Sequence, residues 1–361
     1  MNRILRCFLF VFSSVGLAVA QSPETVWNIG ITLPLTGPAA QYGIAARNGF
    51  ELARAHNPHV FARIRFHYQD TQLKPALAVE AFQALQRRQH PIAHFDFGSA
   101  TSLALAPIAE RKSVLLVSSA YDPAVSQGRQ HVFRFANNTV DYAETILKTL
   151  RRRGIKRTTL VVSENPFFVQ FAQTIESLLR ADESVVIHSV RADESDFGSI
   201  ALKLRHTTPG PEALGVFLFV EQATLLLRKL RTFDWEGFIF GTDALEEVSP
   251  TLLGVQLFDG IEFPNTSVQA DFIDAYKDAF KTTAHYTFAA GTYDFAHLIA
   301  DASMRCLRCD QAELQQELED PTVRVGALGH YRFTSSPMTG RYFASKVVMK
   351  VLRNGEISVL E

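Results

Sequence analysis

The stretch that decides the fold is residues 26–43, VWNIGITLPLTGPAAQYG. Its apolar run over 26–35 reads as a buried strand, which Gly37 and Pro38 break. A helical pattern follows over 41–56, with Ile44, Phe50, Leu52 and Ala53 on its apolar positions. The alternation then continues. Strands are expected at 64–68, 92–97 and 114–117, and helices at 75–88, opened by Pro75, and at 101–111. Strand and helix in this rhythm make a parallel sheet with helices on both faces.

Further along, the rhythm repeats. Helices are expected at 140–152, 168–180, 197–205 and 223–233, and strands at 159–162, 185–190, 216–220 and 238–240. This is a second α/β lobe without an obvious sequence repeat of the first. The tail changes character, with helices at 268–280, 286–304 and 312–318 and strands at 331–333, 343–352 and 357–360. Asn354-Gly355 marks a tight hairpin between the last two strands. No linker is rich in Gly, Ser or Pro. Two lobes without a loose linker point to hinge strands and a cleft.

Composition bounds the function. The chain has 361 residues, enough for two domains, with 47% apolar and 20% charged residues. That excludes a disordered chain. A formal net charge of −1 gives no basic excess for a nucleic-acid partner. Residues 1–20 read as a cleavable secretory leader: Arg3 and Arg6, an apolar run over 8–19, then Ala18-Val19-Ala20. Cys7 precedes the apolar run and is not placed as a lipid anchor. No later stretch is long and apolar enough to span a bilayer, so a soluble, exported protein is expected. Cys306 and Cys309 are then the remaining thiols, and a structural disulfide is the expected pairing in an oxidising compartment. The alternatives are a redox pair, which lacks a βα start before it, and a zinc site, which lacks two more ligands.

Catalytic signatures are missing. The chain has no G-x-S-x-G, H-E-x-x-H, phosphate-loop or dinucleotide-binding motif, so neither an enzyme nor a cofactor is expected. His56 and His59 straddle Pro58 at a helix end and read as solvated loop residues, leaving no metal site. Asn137-Asn138-Thr139 and Asn265-Thr266-Ser267 match the glycosylation sequon and are expected to be chance matches.

Four stretches carry a resemblance: residues 29–43, the helix segment 48–53, residues 98–102 with 106–110, and residues 118–123. With these the chain resembles the type I periplasmic binding proteins of the branched-chain amino acid (Leu/Ile/Val-binding) ABC transporters. The resemblance implies an α/β protein of two doubly wound parallel-sheet lobes, joined by three crossover strands around a ligand cleft. Lobe one would hold residues 25–136 and 264–338, and lobe two residues 137–263 and 339–361. It also implies a periplasmic monomer that binds a small molecule by hinge closure and docks on an inner-membrane permease.

Ser99 follows a strand and opens a helix, which offers a hydroxyl and free N–H groups to an anion; the alternative is a plain helix cap. Residues 118–121 follow the next parallel strand, so both loops should face one crevice. The resemblance assigns the ligand carboxylate to Ser99, aided by the loop of Ser119 and Tyr121. It makes Tyr42 the cover of the ligand and Asp243 the partner of its ammonium. Phe167 stands where the family has a second-lobe tyrosine, and Glu221 sits beside Phe219 near another. Asp96, next to the presumed anion site, is a departure that would repel an anion. The implied ligand is therefore amino acid-like or an apolar or aromatic compound. Rival readings are a sensory module for a membrane kinase or chemoreceptor, a scaffold that has lost its ligand, and a hydrolase.

Overall fold

The computed structural model describes residues 26–360 apart from 207–209, 211, 234, 236, 249–251 and 307–308. The expected leader, residues 1–20, lies outside the described residues. In the first lobe the chain runs through β1 (Trp27–Leu33), α1 (Ala40–His56), β2 (Ile64–Asp70), α2 (Pro75–Gln89), β3 (Ala93–Phe97), α3 (Ser99–Arg111), β4 (Leu116–Ser119) and β5 (Val132–Arg134). In the second it runs through α4 (Thr139–Arg152), β6 (Arg157–Ser163), α5 (Pro166–Ser177), β7 (Ser184–Val190), α6 (Gly198–His206), β8 (Ala213–Phe217), α7 (Val220–Arg231), β9 (Phe238–Gly241) and β10 (Glu262–Thr266). Then α8 (Ala270–Phe280), α9 (Tyr286–Arg305), α10 (Gln311–Leu318), β11 (Arg324–Gly326), β12 (Gly329–Ser336) and β13 (Gly340–Ser345) return to the first lobe. Finally β14 (Val347–Arg353) and β15 (Glu356–Val359) end in the second.

The strands form an eight-stranded sheet, β11-β12-β13-β5-β4-β3-β1-β2, and a seven-stranded sheet, β15-β14-β10-β9-β8-β6-β7. This is the expected architecture, two parallel-dominated lobes joined by three crossovers. Strand β3 is buried along its whole length, as a central parallel strand covered on both faces should be. Helices α1 and α9 cover one face of the first sheet and touch backbone to backbone. A Cβ on Gly49 would meet the Ala289 carbonyl at 2.1 Å, so only glycine fits there. Helix α9 is correspondingly apolar on several sides, with Phe295, Leu298 and Ile299 fully buried. No helix among the described residues is long and apolar enough to cross a membrane.

Three sequence expectations differ from the structure. Strand β5 is too short to show a period, and β10 carries Pro264, which argues against an interior strand. The structure accommodates Pro264 because β10 meets β9 only at Glu262 and runs mainly against β14. The expected strand 343–352 is two strands. β13 pairs with β12 and β5 in the first sheet, and β14 pairs with β10 and β15 in the second. By strand pairing, residues 340–345 therefore belong to the first sheet, although the sequence reading placed 339 onward in lobe two. Likewise β10 belongs to the second sheet, although the reading returned the chain to lobe one at 264.

The three crossovers are tied by one side chain. Asn137, fully buried, donates through Nδ2 to Thr266 Oγ1 (2.9 Å) and Ser345 Oγ (3.0 Å), and its Oδ1 accepts from the Ser345 N–H (2.9 Å). Asn138 caps α4 and forms a capping box with Asp141. Asn265 is also buried, between Tyr142 and Glu246. Neither sequon asparagine is open to a glycan-transferring enzyme.

Cys306 ends α9, Cys309 precedes α10, and their sulfurs are bonded, so the pair ties the end of one helix to the start of the next. Among the described residues Glu313 is the one further ligand-type group beside them, short of the four that structural zinc takes.

The crossover tie predicts that Asn137→Ala lowers unfolding stability by about 1–3 kcal/mol, because the buried Thr266 hydroxyl, the Ser345 hydroxyl and the Ser345 N–H each lose a partner. Urea denaturation measures it, and a loss below about 0.5 kcal/mol would show that the crossovers are held by other contacts.

Candidate functional site

Parallel strands deliver their carboxyl ends to one edge of a sheet, and in open α/β sheets that edge is where ligands bind. In the first sheet the strand order reverses between β1 and β3, and in the second between β6 and β8. Both reversals face a single cavity of about 510 Å³ between the lobes. From the first lobe it is lined by Tyr42 after β1, Phe97, Gly98, Ser99 and Ala100 after β3, and Ser119, Tyr121 and Asp122 after β4. The second lobe supplies Asn165 and Phe167 after β6, Phe219 after β8, and Asp243, Glu246 and Glu247 after β9. His285 and Phe288, at the start of α9, complete the wall.

The Ser99 corner is built locally. Gly98 takes φ +102°, a conformation that glycine tolerates, and turns the chain from β3 straight into α3. Ser99 Oγ accepts the N–H of Asp122 at 3.3 Å, joining the two loops. Beneath them lies Asp96, fully buried, whose carboxylate accepts from Thr32 Oγ1 (2.6 Å), Thr101 Oγ1 (2.8 Å) and Ser102 Oγ (2.7 Å). Asp96 was expected in the binding site and is not among the cavity's lining. It braces β1, β3 and the first turn of α3 from inside. Burial pushes its carboxyl up to about 6, against the pull of the three hydroxyls.

Aromatic rings make up much of the wall. Tyr42 packs on His285 (ring centroids 4.6 Å apart) and edge-on to Phe288 (5.6 Å). Tyr121 packs between Phe167 and Tyr142, at 5.7 and 5.5 Å. Phe168, by contrast, is wholly buried in the second-lobe core and contacts Phe219 from below, at 4.9 Å.

A 3₁₀ turn, Asp243–Glu247, presents three acids in different states. Glu246 is satisfied by Asn265 Nδ2 (2.7 Å), Thr287 Oγ1 (2.6 Å) and the Lys350 ammonium. Lys350 is buried and lies over the Tyr286 ring, 5.2 Å from its centroid. Asp243 lies beside the Tyr121 hydroxyl. Burial pushes its carboxyl up to about 7; the Tyr121 hydroxyl opposes the rise, neighbouring Glu246 adds to it, and the Lys350 ammonium opposes it. Glu247 accepts from the Tyr42 hydroxyl across the cleft, and burial raises it to about 7 as well. His285 is held down by burial, with Glu246 acting in the opposite sense. The Tyr42–Glu247 and Thr287–Glu246 contacts both bridge the lobes.

Of the residues singled out in the sequence, the structure brings Tyr42, Ser99, Ser119, Tyr121, Phe167 and Asp243 to this one cavity. Glu221 is exposed in the first turn of α7, where its charge faces the positive helix end, and it does not line the cavity. Sequence reasoning missed Glu246, Glu247, His285 and Phe288. The acid pair stands three and four residues after Asp243, and its partners Tyr42 and Lys350 are remote in sequence. His285 comes from a helix far along the chain, and nothing local marks it.

The chain matches, over residues 26–353, the profile of the family described as periplasmic binding protein. No curated protein matches it. Among solved structures it is similar to the leucine-binding protein LivK of Thermotoga maritima (22% identity, TM-score 0.80, covering 93% of this chain and 98% of that one). It is also similar to the isoleucine-bound LivJ of Streptococcus pneumoniae (20% identity, TM-score 0.76, 93% and 99% covered). A third is an ABC transporter solute-binding protein of Rhodopseudomonas palustris in complex with 3,4-dihydroxybenzoic acid (18% identity, TM-score 0.78, 92% and 95% covered). At these identities the likeness is one of fold.

A carboxyl whose folded pKa lies above its unfolded value favours folding at low pH, and that contribution is lost as pH rises through the folded value. For Glu247 the window runs from about 4.5 to about 7. Glu247→Gln should therefore gain on the unsubstituted protein as pH rises from 5 to 8, by about 1 kcal/mol or more, roughly 2 °C in Tm. Melting curves of both proteins at the two pH values measure this. A constant difference between them would mean that Glu247 titrates normally.

Proposed function

This chain belongs to the periplasmic binding protein family, and we propose on that premise that it is the substrate-capturing component of an ABC importer. It takes a small organic molecule between its lobes, closes on it, and presents the closed form to an inner-membrane permease. The observation that carries this reading is the single cavity between the two strand-order reversals, walled by both lobes. A ligand there touches both halves at once and so favours the state in which they are together. The work is a population shift between open and closed forms, with no bond made or broken. The leader would send the chain to the periplasm, where the bonded Cys306–Cys309 pair is at home.

In the same reading the moving bodies are the two sheets with their helices, and the hinge is the set of crossovers tied at Asn137. Tyr42, Ser99, Ser119, Tyr121, Phe167 and Asp243 hold the ligand. The aromatic rings receive an apolar body, while the Ser99 corner and the 243–247 turn receive polar ends.

Thermal shift against amino acids, amines, aromatic acids, amides and small alcohols tests it. A ligand at about a hundred times its Kd stabilises by roughly 2.7 kcal/mol, several degrees in Tm. Ala100→Trp, at an exposed position on the cavity wall, should abolish the shift and leave the unliganded Tm within about 1 °C. A ligand that stabilises both proteins equally binds elsewhere and defeats the assignment of the site.

A further inference from the structure

We propose that the ligand this cavity is built for is an organic cation, an amine carried on an apolar body of aromatic size. The inference rests on the binding-protein reading above and adds the charge of what is bound.

The first argument is an inventory of charge. Among the described residues four carboxylate side chains line the cavity, from Asp122, Asp243, Glu246 and Glu247, and no lysine or arginine does. His285, the one basic group on the wall among the described residues, is held toward its neutral form by burial. A second argument is how those acids are partnered. Glu246 has its charge met inside the protein by Lys350, with Asn265 and Thr287 taking up the remaining lone pairs. Asp122 caps its own loop through the Ala124 N–H. Asp243 and Glu247 are different: Asp243 lies beside the Tyr121 hydroxyl, Glu247 accepts from Tyr42, and among the described residues neither forms an ion pair, Lys350 acting on Asp243 from beyond ion-pair distance. A phenol satisfies one lone pair and cancels no charge. Burial raises both acids accordingly, and an ammonium placed between them would restore their ionised forms.

The anionic alternative meets obstacles at the opposite corner. The Asp122 N–H, which could have met an anion, is given to Ser99 Oγ, and the Asp122 carboxylate lines the same corner. The buried cation behind that wall, Arg134, is turned to the carbonyls of Ala120, Tyr121 and Thr339 and lines no part of the cavity. The rings of Tyr42, Phe97, Phe167 and Phe288 offer faces that attract a cation as readily as they cover an apolar body.

The test uses four probes of one shape and different charge: 2-phenylethylamine, 2-phenylethanol, 3-phenylpropionate and phenylalanine, titrated calorimetrically into the purified protein at pH 8. The amine is expected to bind at least about tenfold tighter than the other three, and Glu247→Gln and Asp243→Asn each to weaken it by about tenfold or more, since each removes one partner of a desolvated charge. Each variant's unliganded melting curve establishes that it folds. If the alcohol, acid or zwitterion binds as tightly as the amine, or if neither variant weakens the amine, the inference is overturned and the binding-protein reading stands. Silence from all four probes also overturns the inference, and the reading itself falls only if the wider panel above is silent too.

Discussion

Everything at the cleft depends on three chain crossings held together by one amide. Asn137 sits on the first crossing and reaches the other two, at Thr266 and Ser345, with both ends of its side chain. An amide suits the place because it donates and accepts in one plane, so it can serve an N–H and two hydroxyls without charge. The cost of breaking such a buried set exceeds the worth of any one bond in it. The register between the two sheets is therefore fixed at the crossings, and the lobes meet again at the cavity through Tyr42–Glu247 and Thr287–Glu246. A firm tie at the crossings is what the proposed hinge would turn about.

The two halves of the cavity are built by one rule applied twice. Each sheet reverses its strand order once, and each reversal leaves a gap between two loops at the carboxyl edge. In the first lobe the gap is polar, with Ser99 and Ser119 at its sides and Asp96 bracing it from below. In the second it is aromatic and acidic, with Phe167, Phe219 and the 243–247 turn. Asp96 shows how easily chemistry in the sequence is misassigned. A carboxylate beside a serine-rich loop looks like a site residue, yet three hydroxyls behind the sheet fully engage it. Distance along the chain says nothing about which side of a strand a side chain takes beyond the two-residue period. Asp96 lies on the inward side.

The periodic elements were legible because each buries a face, and burial writes itself into the spacing of apolar residues. Strand β3 and helix α4 could be read that way. Strands β5 and β10 could not: one has three residues, and the other has a proline and is held by long-range pairing with β14. The break between β13 and β14 was invisible for a related reason. Both sides of Lys346 are apolar, and only the choice of sheet divides them. Within the cavity, the residues at strand ends were legible because topology places them. Glu247 and His285 were not, because their role comes from Tyr42, which is remote from both in sequence and meets both in the fold.

The Lys350–Glu246 pair shows why the acids of one short turn cannot be treated as a group. Burying an ion pair costs desolvation that its attraction roughly repays, so it adds little stability, but removing one partner strands the other. Lys350 lies on β14 in the second lobe, while Thr287 and Tyr286 belong to α9 in the first. Glu246 is thereby the fixed post on which the turn is mounted, and among the described residues its neighbours Asp243 and Glu247 form no ion pair of their own. A fully compensated turn would hold the lobes together whether or not anything lay between them. A turn ion-paired at one acid in three is set in place, and under the cation proposal the other two acids are where an entering ammonium would sit.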